Sequence, residues 1–411
     1  MQKRVVVTGM GAVSSIGNDI ETIWQNLQKG VSGIELVTKI NPDDYPSKFA
    51  GEVKNFNVED FISRKQARRM DPYCHYAMAA SIMAFKDSGN DRELIDSNRF
   101  GVIIGSGIGG MTTLEREHTK LLEKGPGKIS PFFIPMMIPN MAAGLVSIEF
   151  SAKGICESVV TACSSGNNAI GNSFKAIRDG EMDIMIAGGA EAAITDLGFA
   201  GFCSMRAVSR ATDKNSASRP FDKERDGFVM SEGAGILILE EYEYAKKRGA
   251  KILAEIIGYG TTSDAFHMTA PAQDGEGGAR SMELALKSAN LPYSEIDYIN
   301  AHGTSTPLND VNETKAIKTV FKEHAYNINI DSTKSMTGHM LGAAGGFEAI
   351  VCCLALQNGF IPPTINYSNK DEECDLNYTV NKGVKRNIKY ALSNSLGFGG
   401  HNSALIFKKG E

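Results

Sequence analysis

Four side chains capable of nucleophilic or acid–base chemistry fall in three short segments of this sequence. They are the thiol of Cys163, the imidazoles of His302 and His339, and the ammonium group of Lys334. Each alone is more often structural, because a free cysteine is commonly buried and inert and a single histidine in a turn is usually a hydrogen-bonded scaffold residue. Brought together, they could form a covalent intermediate and stabilise negative charge on oxygen.

The segment around Cys163 predicts a strand that turns into a helix. A β-branched run from Val159 stops at Cys163, and apolar residues then recur at steps of three and four until Gly180. Free backbone N–H groups and the helix dipole favour an anion at that position, so we expect a lowered pKa for the Cys163 thiol. The thiolate is the nucleophilic form of cysteine.

The other candidates also lie at the ends of predicted elements. His302 follows a predicted strand over 298–301, and His339 lies at the start of a Gly- and Ala-rich helix that continues to about Leu356. The helix dipole lowers the pKa of such a histidine, and a neutral imidazole can still donate a hydrogen bond. Because sites in open α/β folds gather at the C-terminal ends of strands, we expect these segments to meet.

A glycine-rich segment near the C-terminus joins two predicted strands. It reads Gly397-Phe398-Gly399-Gly400 and could expose backbone N–H groups to a reacting oxygen.

Length and composition indicate a large α/β protein. The chain has 411 residues, of which 42% are hydrophobic, and a formal net charge of −5. This length allows two domains or one duplicated core. Two strands that run into G-x-G, at Gly9 and at Gly258, hint at a duplication, and strands alternate with helical patterns in both halves.

The same features predict a cytoplasmic protein without a membrane or nucleic-acid partner. The seven cysteines include no C-x-x-C pair, which favours free thiols over disulfides or a zinc cluster. The apolar run at the N-terminus is too short for a signal peptide, and no run approaches the length of a membrane span. The negative charge argues against general nucleic-acid binding. We expect no bound catalytic metal.

Residues 60–87 carry a helical pattern with basic residues on roughly one face. Lys65, Arg68 and Arg69 belong to this group. The face is either simply solvated or a landing site for an acidic partner.

A G-x-G-x-x-G motif follows the apolar run 100–104. A dinucleotide-binding unit would need a helix and a second strand that ends in an acidic residue, whereas a charged helix and a loop follow here. We therefore expect the glycines at 105–110 to let the backbone pass close to another element. The proline-rich and apolar stretch 130–145 predicts a buried loop or an interface.

Four motifs taken together closely resemble the β-ketoacyl-acyl-carrier-protein synthases, above all the elongating (KAS II) type. They are Thr161-Ala162-Cys163-Ser164-Ser165-Gly166, His302-Gly303-Thr304-Ser305-Thr306-Pro307, Lys334-Ser335-Met336-Thr337-Gly338-His339 and Gly397-Phe398-Gly399-Gly400. The resemblance implies the thiolase fold, an α/β architecture of five layers (αβαβα) with two duplicated halves. It implies that residues 1–250 carry the nucleophile, that residues 251–411 carry the His/His/Lys set, and that the protein is a homodimer.

The resemblance also implies catalytic roles. Cys163 would take an acyl chain from the phosphopantetheine arm of an acyl carrier protein, and the N–H groups of Cys163 and Phe398 would form the oxyanion hole. His302 and His339 would hydrogen-bond the malonyl thioester carbonyl while CO₂ leaves. Lys334, braced by Glu348, would hold the geometry of the histidines. No cofactor is bound beyond the arm that the carrier delivers.

Further residues are implied to bind substrate, carrier protein or an ion. Contacts to the arm or to malonyl would come from Thr304, Thr306 and Thr269. Ile108, Phe202 and the gating Phe398 would line the acyl pocket. The carrier protein would dock on Lys65, Arg68, Arg69 and Arg206. A structural monovalent cation would lie near Asn300, Ala301, Ser393 and Asn394. His401 stands where some relatives have threonine.

Three other functions remain open. A stand-alone ketosynthase of a type II polyketide pathway would use the same chemistry. A non-catalytic chain-length-factor subunit would lack the cysteine that is present here. A cysteine hydrolase would leave the second histidine and Lys334 unexplained.

Overall fold

Ten strands form one mixed sheet through the computed structural model, which describes residues 2–410. In the described chain the strands are β1 (Val5–Val13), β2 (Glu35–Leu36), β3 (Phe49–Ala50), β4 (Phe100–Gly105), β5 (Cys156–Glu157), β6 (Ile184–Glu191), β7 (Gly233–Glu241), β8 (Ala254–Ser263), β9 (Tyr298–Asn300), β10 (Asn329–Asp331), β11 (Phe360–Ile361), β12 (Val384–Lys385), β13 (Tyr390–Gly397) and β14 (His401–Lys409). The large sheet has the order β10-β9-β13-β14-β8-β1-β7-β6-β4-β5, and β2–β3 and β11–β12 are separate antiparallel pairs.

Helices cover and separate the strands. They are α1 (Ile20–Lys29), α2 (Arg64–Ala67), α3 (Pro72–Asp87), α4 (Met111–Lys124), α5 (Phe133–Met137), α6 (Met141–Phe150), α7 (Ser165–Arg178), α8 (Asp196–Ser204), α9 (Tyr242–Lys247), α10 (Glu276–Ala289), α11 (Pro307–Phe321), α12 (Lys334–Thr337) and α13 (Ala344–Asn358).

The two halves of the sheet repeat one strand plan. β1 and β8 lie antiparallel at the centre. From β1 outward the order is β7, β6, β4, β5, and from β8 outward it is β14, β13, β9, β10. In each half the first two pairings are antiparallel and the next two are parallel. This repeat supports a division between α9 and β8, although the boundary at 250/251 itself stays a prediction.

Alternate strand residues face different helical layers. Ile103 and Leu237 point inward, to a core that α7 and α13 share. Their neighbours Ile104 and Ile238 point outward, to α3 and α6, while α10 and α11 cover the outer face of the other half. Strands buried on both faces read as nearly continuous apolar runs, as they do here. The two halves of the ten-stranded sheet form two separate β layers, because α7 and α13 pack between them. With the outer helices on both sides the layers are αβαβα, which confirms the predicted fold class.

Glycines within β1 and β8 allow the outer helices to lie directly on the sheet. A Cβ at Gly9 would lie 2.1 Å from the carbonyl oxygen of Ala84 in α3, and one at Gly260 would lie 2.0 Å from that of Ser281 in α10. We expected the first strand to end at the glycines, but β1 continues to Val13. The glycines are packing positions and not a turn.

The predicted helix over 60–87 is two helices. α2 ends at Ala67, and Asp71 caps the start of α3, in which Pro72 is the first residue. Proline suits the first helical position because its missing N–H would have no partner there. The exposed residues Lys65, Arg68 and Arg69 therefore lie on α2 and the turn after it.

Residues 130–145 do not form the predicted buried loop. They contain α5 and the start of α6. Pro135 is the third residue of α5, where the backbone N–H has no helical partner to lose. Several apolar side chains of this region are exposed, including Ile134 at 54%. The interface alternative stays a prediction.

The segment Leu341–Asn358, which contains α13, is long and apolar enough to cross a membrane by length and composition alone. However, 89% of that segment is buried in the protein. It is the central core helix of this fold.

Candidate active site

Cys163 lies in a short 3₁₀ turn, Ala162–Ser164, that leads directly into α7. Its placement at the helix start is as predicted, and α7 ends just before Gly180. The strand predicted before it is wrong, because strand pairing stops at the two residues of β5 and residues 158–161 have no regular secondary structure. β5 is the edge strand of the sheet, so only one side of it has a neighbouring strand that must be paired.

Local hydrogen bonds hold the Cys163 turn in an uncommon conformation. Ala162 has φ 50°, in the left-handed region. The hydroxyl of Ser165 donates to the carbonyl oxygen of Ala162 (2.7 Å) and accepts from the N–H of Thr161 (2.9 Å). The hydroxyl of Ser164 donates to the carbonyl oxygen of His401 (2.7 Å), which ties the turn to the β13–β14 hairpin.

The structure brings Cys163, His302 and His339 together. The sulfur and one ring nitrogen of each histidine lie within 4.8 Å of one another, and all three residues are buried. The two imidazole rings are edge to face, with centroids 5.3 Å apart. The convergence expected from three distant segments is therefore present.

Backbone hydrogen bonds fix both histidines. The N–H of His302 donates to the buried carboxylate of Glu313 (2.8 Å). The N–H of His339 donates to the carbonyl oxygen of Val229 (2.7 Å), and its carbonyl oxygen accepts from the N–H of Ser231 (2.9 Å). Both side chains are thereby positioned through the main chain, so their ring nitrogens stay available.

Both imidazoles are neutral. Burial lowers the pKa of His302 and of His339 well below the usual value, and the positive charge of Lys334 lowers both further. Within residues 2–410, Nδ1 of His302 and both ring nitrogens of His339 have no hydrogen-bond partner. A neutral imidazole has one N–H, which can point at a substrate oxygen. The lowered pKa of His339 confirms the predicted direction, but burial is the main cause.

For the decarboxylation of a malonyl thioester that the resemblance implies, we expect the rate to hold as the pH falls through 6.5, the ordinary pKa of histidine. Because folding lowers both histidine pKa values, the neutral donors persist below that pH. The folded state then loses stability as acid protonates these histidines in the unfolded chain. The measurement is CO₂ release between pH 8 and 5.5, alongside the unfolding midpoint. A rate that halves near pH 6.5 would contradict neutral histidines.

Lys334 and Glu348 form a fully buried ion pair beside the histidines. Burial raises the pKa of Glu348, and the Lys334 ammonium opposes that shift. The second carboxylate oxygen of Glu348 has no partner among the described residues. The pair places a fixed positive charge close to Cys163 and both imidazoles.

The predicted lowering of the Cys163 pKa is wrong for the free enzyme. Burial raises the pKa of this thiol to about 12, against the opposing pull of Lys334 and of the backbone N–H groups of Phe398 and Cys163. The resting sulfur is therefore a thiol. The neutral imidazoles nearby can accept its proton when a thioester carbonyl arrives.

A cavity of about 370 Å³ leads from the surface to this cluster. Of the predicted residues, it is lined by Cys163, Phe202, Arg206, Thr269, His302, Thr304, Thr306, His339 and Phe398. Ile108 does not line it but packs against the same apolar cluster as Cys163 and Phe202. Lys65, Arg68 and Arg69 lie outside it on the surface.

The glycine loop at 105–110 passes close to other elements, as expected. A Cβ at Gly105 would lie 2.4 Å from the carbonyl oxygen of Ser165, and one at Gly110 would lie 2.2 Å from that of Met136. Both contacts are too short for any side chain.

Some cavity residues carried no signal in the sequence. Phe228 packs its ring edge to face against His339 (5.3 Å) and Phe202 (5.3 Å). The N–H of Gly399 donates to the carbonyl oxygen of Met268 (2.7 Å), so the loop after β8 holds the Phe398 turn. Phe228 and Met268 belong to none of the four motifs, and only the tertiary fold brings them near the site.

A duplicated αβαβα fold with a buried cysteine and two neutral histidines at the end of a deep cavity defines a condensing enzyme of the thiolase fold. Residues 2–245 match the family model "Beta-ketoacyl synthase, N-terminal domain", and residues 253–368 match "Beta-ketoacyl synthase, C-terminal domain". The chain belongs to the β-ketoacyl synthase family. It is an acyl-transferring enzyme of fatty-acid chain elongation.

Curated relatives match along the whole chain. A 3-oxoacyl-[acyl-carrier-protein] synthase 2 of Staphylococcus aureus (strain COL) is 54% identical over 409 residues, covering 100% of this chain and 99% of its own. The protein of the same name in Synechocystis is 53% identical over 409 residues, covering 99% and 98%.

Solved structures agree on the fold. One shows a type II polyketide acyl-carrier protein in complex with its ketosynthase bound to the hexaketide, and it is similar at TM-score 0.93 with 36% identity. Another is a β-ketoacyl synthase from Burkholderia phymatum, at TM-score 0.92 with 36% identity. Each match covers 100% of both chains.

Proposed function

We propose that this chain lengthens an acyl chain by two carbons, through an acyl-thioester on Cys163 and a decarboxylating malonyl thioester. The observation that carries the proposal is the meeting of one thiol and two neutral imidazoles at the closed end of one cavity. The test is to mix acyl- and malonyl-carrier thioesters of graded length with the enzyme and weigh the products. A β-ketoacyl product two carbons longer, with one CO₂, is expected. Free fatty acid without malonyl-carrier would instead indicate the hydrolase.

The first step transfers the acyl group. The Cys163 thiol gives its proton to a neutral imidazole, and the sulfur attacks the carbonyl carbon of the acyl-carrier thioester. The backbone N–H groups of Cys163 and Phe398, which interact with the sulfur, would donate to the oxyanion. The C–S bond to the carrier breaks, and the carrier thiol leaves with that proton.

The second step makes the new carbon–carbon bond. The malonyl thioester carbonyl accepts hydrogen bonds from His302 and His339, the bond to CO₂ breaks, and its electron pair forms an enolate. The enolate carbon attacks the acyl carbonyl on Cys163, the C–S bond to Cys163 breaks, and the thiolate that leaves takes up one proton from water. Lys334, held by Glu348, supplies a fixed positive field for the enolate.

The substrate arm would run along the cavity. Thr304 and Thr306 line it, and their hydroxyls lie 3.0 Å apart. Thr269 lies on the opposite loop, near the Phe398 turn. These hydroxyls suit the amide groups of a phosphopantetheine arm and the malonyl carboxylate. Phe202 and Ile108 supply apolar surface for the acyl chain.

The partner would be an acidic acyl carrier protein. Lys65, Arg68 and Arg69 are exposed, and Arg206 is exposed at the cavity mouth. Opposite charges across such a surface speed encounter and set orientation. The solved complex of a polyketide ketosynthase with its acyl-carrier protein supports a partner of this kind.

We expect the double charge reversal Lys65→Glu, Arg68→Glu to raise KM for acyl-carrier thioesters about tenfold or more, with kcat nearly unchanged. The reason is lost attraction, so the effect should shrink in high salt. Steady-state kinetics with carrier-bound and with free pantetheine thioesters separate docking from chemistry. Lys287→Glu, on the exposed face of α10, is the matched control. Equal losses with both substrates would argue against docking at this patch.

The enzyme would act as a homodimer in the cytoplasm. β5 is an open edge of the sheet. Exposed apolar side chains lie on the chain segments around it, namely Phe132, Ile134, Ile148 and Val160. A second copy could cover the edge and these side chains. Sedimentation analysis tests the dimer.

The polyketide alternative is not favoured. Full-length identity is 54% to the fatty-acid type relative and 36% to the polyketide ketosynthase structure. The chain-length-factor alternative lacks support because Cys163 is present and lies beside both histidines.

The residues proposed for a monovalent cation fit such an ion. The buried side-chain oxygens of Asn300, Ser393 and Asn394 have no partner among the described residues. Ser393 and Asn300 are directly paired across β13 and β9, and Ala301 is the next residue. Oxygen donors suit a hard cation, which would stiffen the segment that carries His302.

A further inference from the structure

One buried carboxylate near the site has no part in the steps above. Glu191 is the last residue of β6 and is fully buried. One of its oxygens accepts from the hydroxyl of Ser106 (3.0 Å) and the N–H of Ile108 (3.2 Å). The other accepts from the N–H groups of Gly107 (2.7 Å) and Gly342 (3.0 Å). Among residues 2–410, no cationic side chain forms an ion pair with it.

The G-x-G-x-x-G loop therefore binds the side-chain carboxylate of Glu191. Such loops commonly turn their N–H groups toward a bound anion such as phosphate. Here the anion is the chain's own carboxylate. A Cβ at Gly107 would lie 2.9 Å from that carboxylate, and one at Gly342 would lie 2.8 Å from it and 2.3 Å from the N of Gly107. The glycines are therefore required by the closeness of the two loops.

The two loops carry different parts of the site. The first belongs to the N-terminal half and bears Ile108, which packs against the apolar cluster around Cys163. The second belongs to the C-terminal half and follows His339, and its Leu341 lines the cavity. A single carboxylate thus joins the loop that bears Ile108 to the segment that follows His339.

Burial raises the pKa of Glu191, and the hydrogen bonds from Gly107, Ser106, Gly342 and Ile108 oppose that shift. Three of the four donors are backbone N–H groups, which cannot accept a hydrogen bond from a neutral carboxyl group. This set of donors therefore favours the ionised carboxylate over the acid. The negative charge acts on Cys163 and contributes to the raised pKa of that thiol.

We propose that Glu191 is a positioning residue that determines acyl-chain selectivity, by holding the Ile108 loop and the Leu341–Gly342 turn in one fixed arrangement. The wall that meets the acyl chain and the segment of His339 then keep a constant spacing. This inference rests on the proposed function, because selectivity is defined only for an enzyme that acylates Cys163.

The test compares Glu191→Gln and Glu191→Asp with the wild type. Glutamine keeps the size of the side chain but replaces one oxygen with an NH₂ group. The two donors that contact that oxygen then have no acceptor. We expect the kcat/KM ratio between the best acyl length and one two carbons longer to fall about fivefold or more. We also expect alkylation of Cys163 by iodoacetamide to begin at lower pH. Aspartate keeps the charge but not the reach, so selectivity should fall while the alkylation profile stays.

A matched control separates positioning from stability. Asp222 is equally buried and accepts from the N–H groups of Ser368 and Asn369 (2.6 Å each), and it does not line the cavity. Asp222→Asn should lower the unfolding midpoint without changing the chain-length ratio or the alkylation profile.

Two results decide the matter. If both Glu191 variants keep the wild-type chain-length ratio, the inference is wrong, whatever happens to stability. If glutamine prevents folding, the aspartate variant alone decides it by the same ratio. Failure of the wild type to acquire an acyl group on Cys163 would instead defeat the proposed function and is seen without any variant.

Discussion

Replacing Cys163 with alanine is expected to abolish condensation while decarboxylation of the malonyl thioester continues. Loss of a catalytic nucleophile lowers kcat by up to about 10⁶-fold. His302 and His339 are held through their own main chain and through other segments, so their donors should remain in place. Product analysis and CO₂ release, measured in the same samples, report the two activities separately.

The control for this variant is another buried cysteine. Cys203 belongs to the same apolar cluster as Cys163 but is not part of the Cys/His/His group. Cys203→Ala should therefore retain covalent acylation and condensation. Condensation at the wild-type rate in Cys163→Ala would show that the acyl group is carried elsewhere.

Replacing His339 with alanine should lower malonyl decarboxylation about 10²- to 10³-fold, the usual cost of removing one donor from a developing oxyanion. The acyl group should still reach Cys163. His302→Ala should act in the same way, because the two rings face one site. Rates of CO₂ release and intact mass measure the two steps.

Asparagine at either position offers a partial rescue. Its amide N–H can donate a hydrogen bond as a neutral imidazole does, but it cannot accept the thiol proton. His339→Asn should therefore recover decarboxylation relative to alanine. His324→Ala is the control, because that ring contacts the carbonyl oxygen of Ile296 (2.9 Å) away from the cavity. Equal rates for asparagine and alanine would contradict a donor role.

The meeting of the catalytic segments was predictable because each lies beside a recognisable element end. His302 follows β9, Lys334 follows β10 and Phe398 follows β13. These strand ends are on one side of one half of the sheet, and Cys163 comes from the other half at the start of α7. Short-range patterns fix such placements well.

Two predicted elements were wrong because single residues, and not the periodic pattern, determine where the helices begin. Asp71 followed by Pro72 is a helix start within the apolar pattern of 60–87, and the cap prevails there. Around Pro135 the opposite occurred, because a proline near the start of α5 does not disturb that helix.

The electrostatics could not be read from spacing. A helix start offers only about half a positive charge, whereas the burial of Cys163 and of both histidines depends on how two distant halves pack. The sequence showed the glycine loop but not its occupant, because Glu191 lies about 80 residues further along the chain.

Intact mass spectrometry with peptide mapping tests the central claim most directly. The enzyme is mixed with a single acyl-carrier thioester and no malonyl-carrier, then quenched and digested. We predict a gain of one acyl mass per chain, located on the peptide that contains Cys163. An adduct on another residue, or release of free acid with no adduct, would contradict the account.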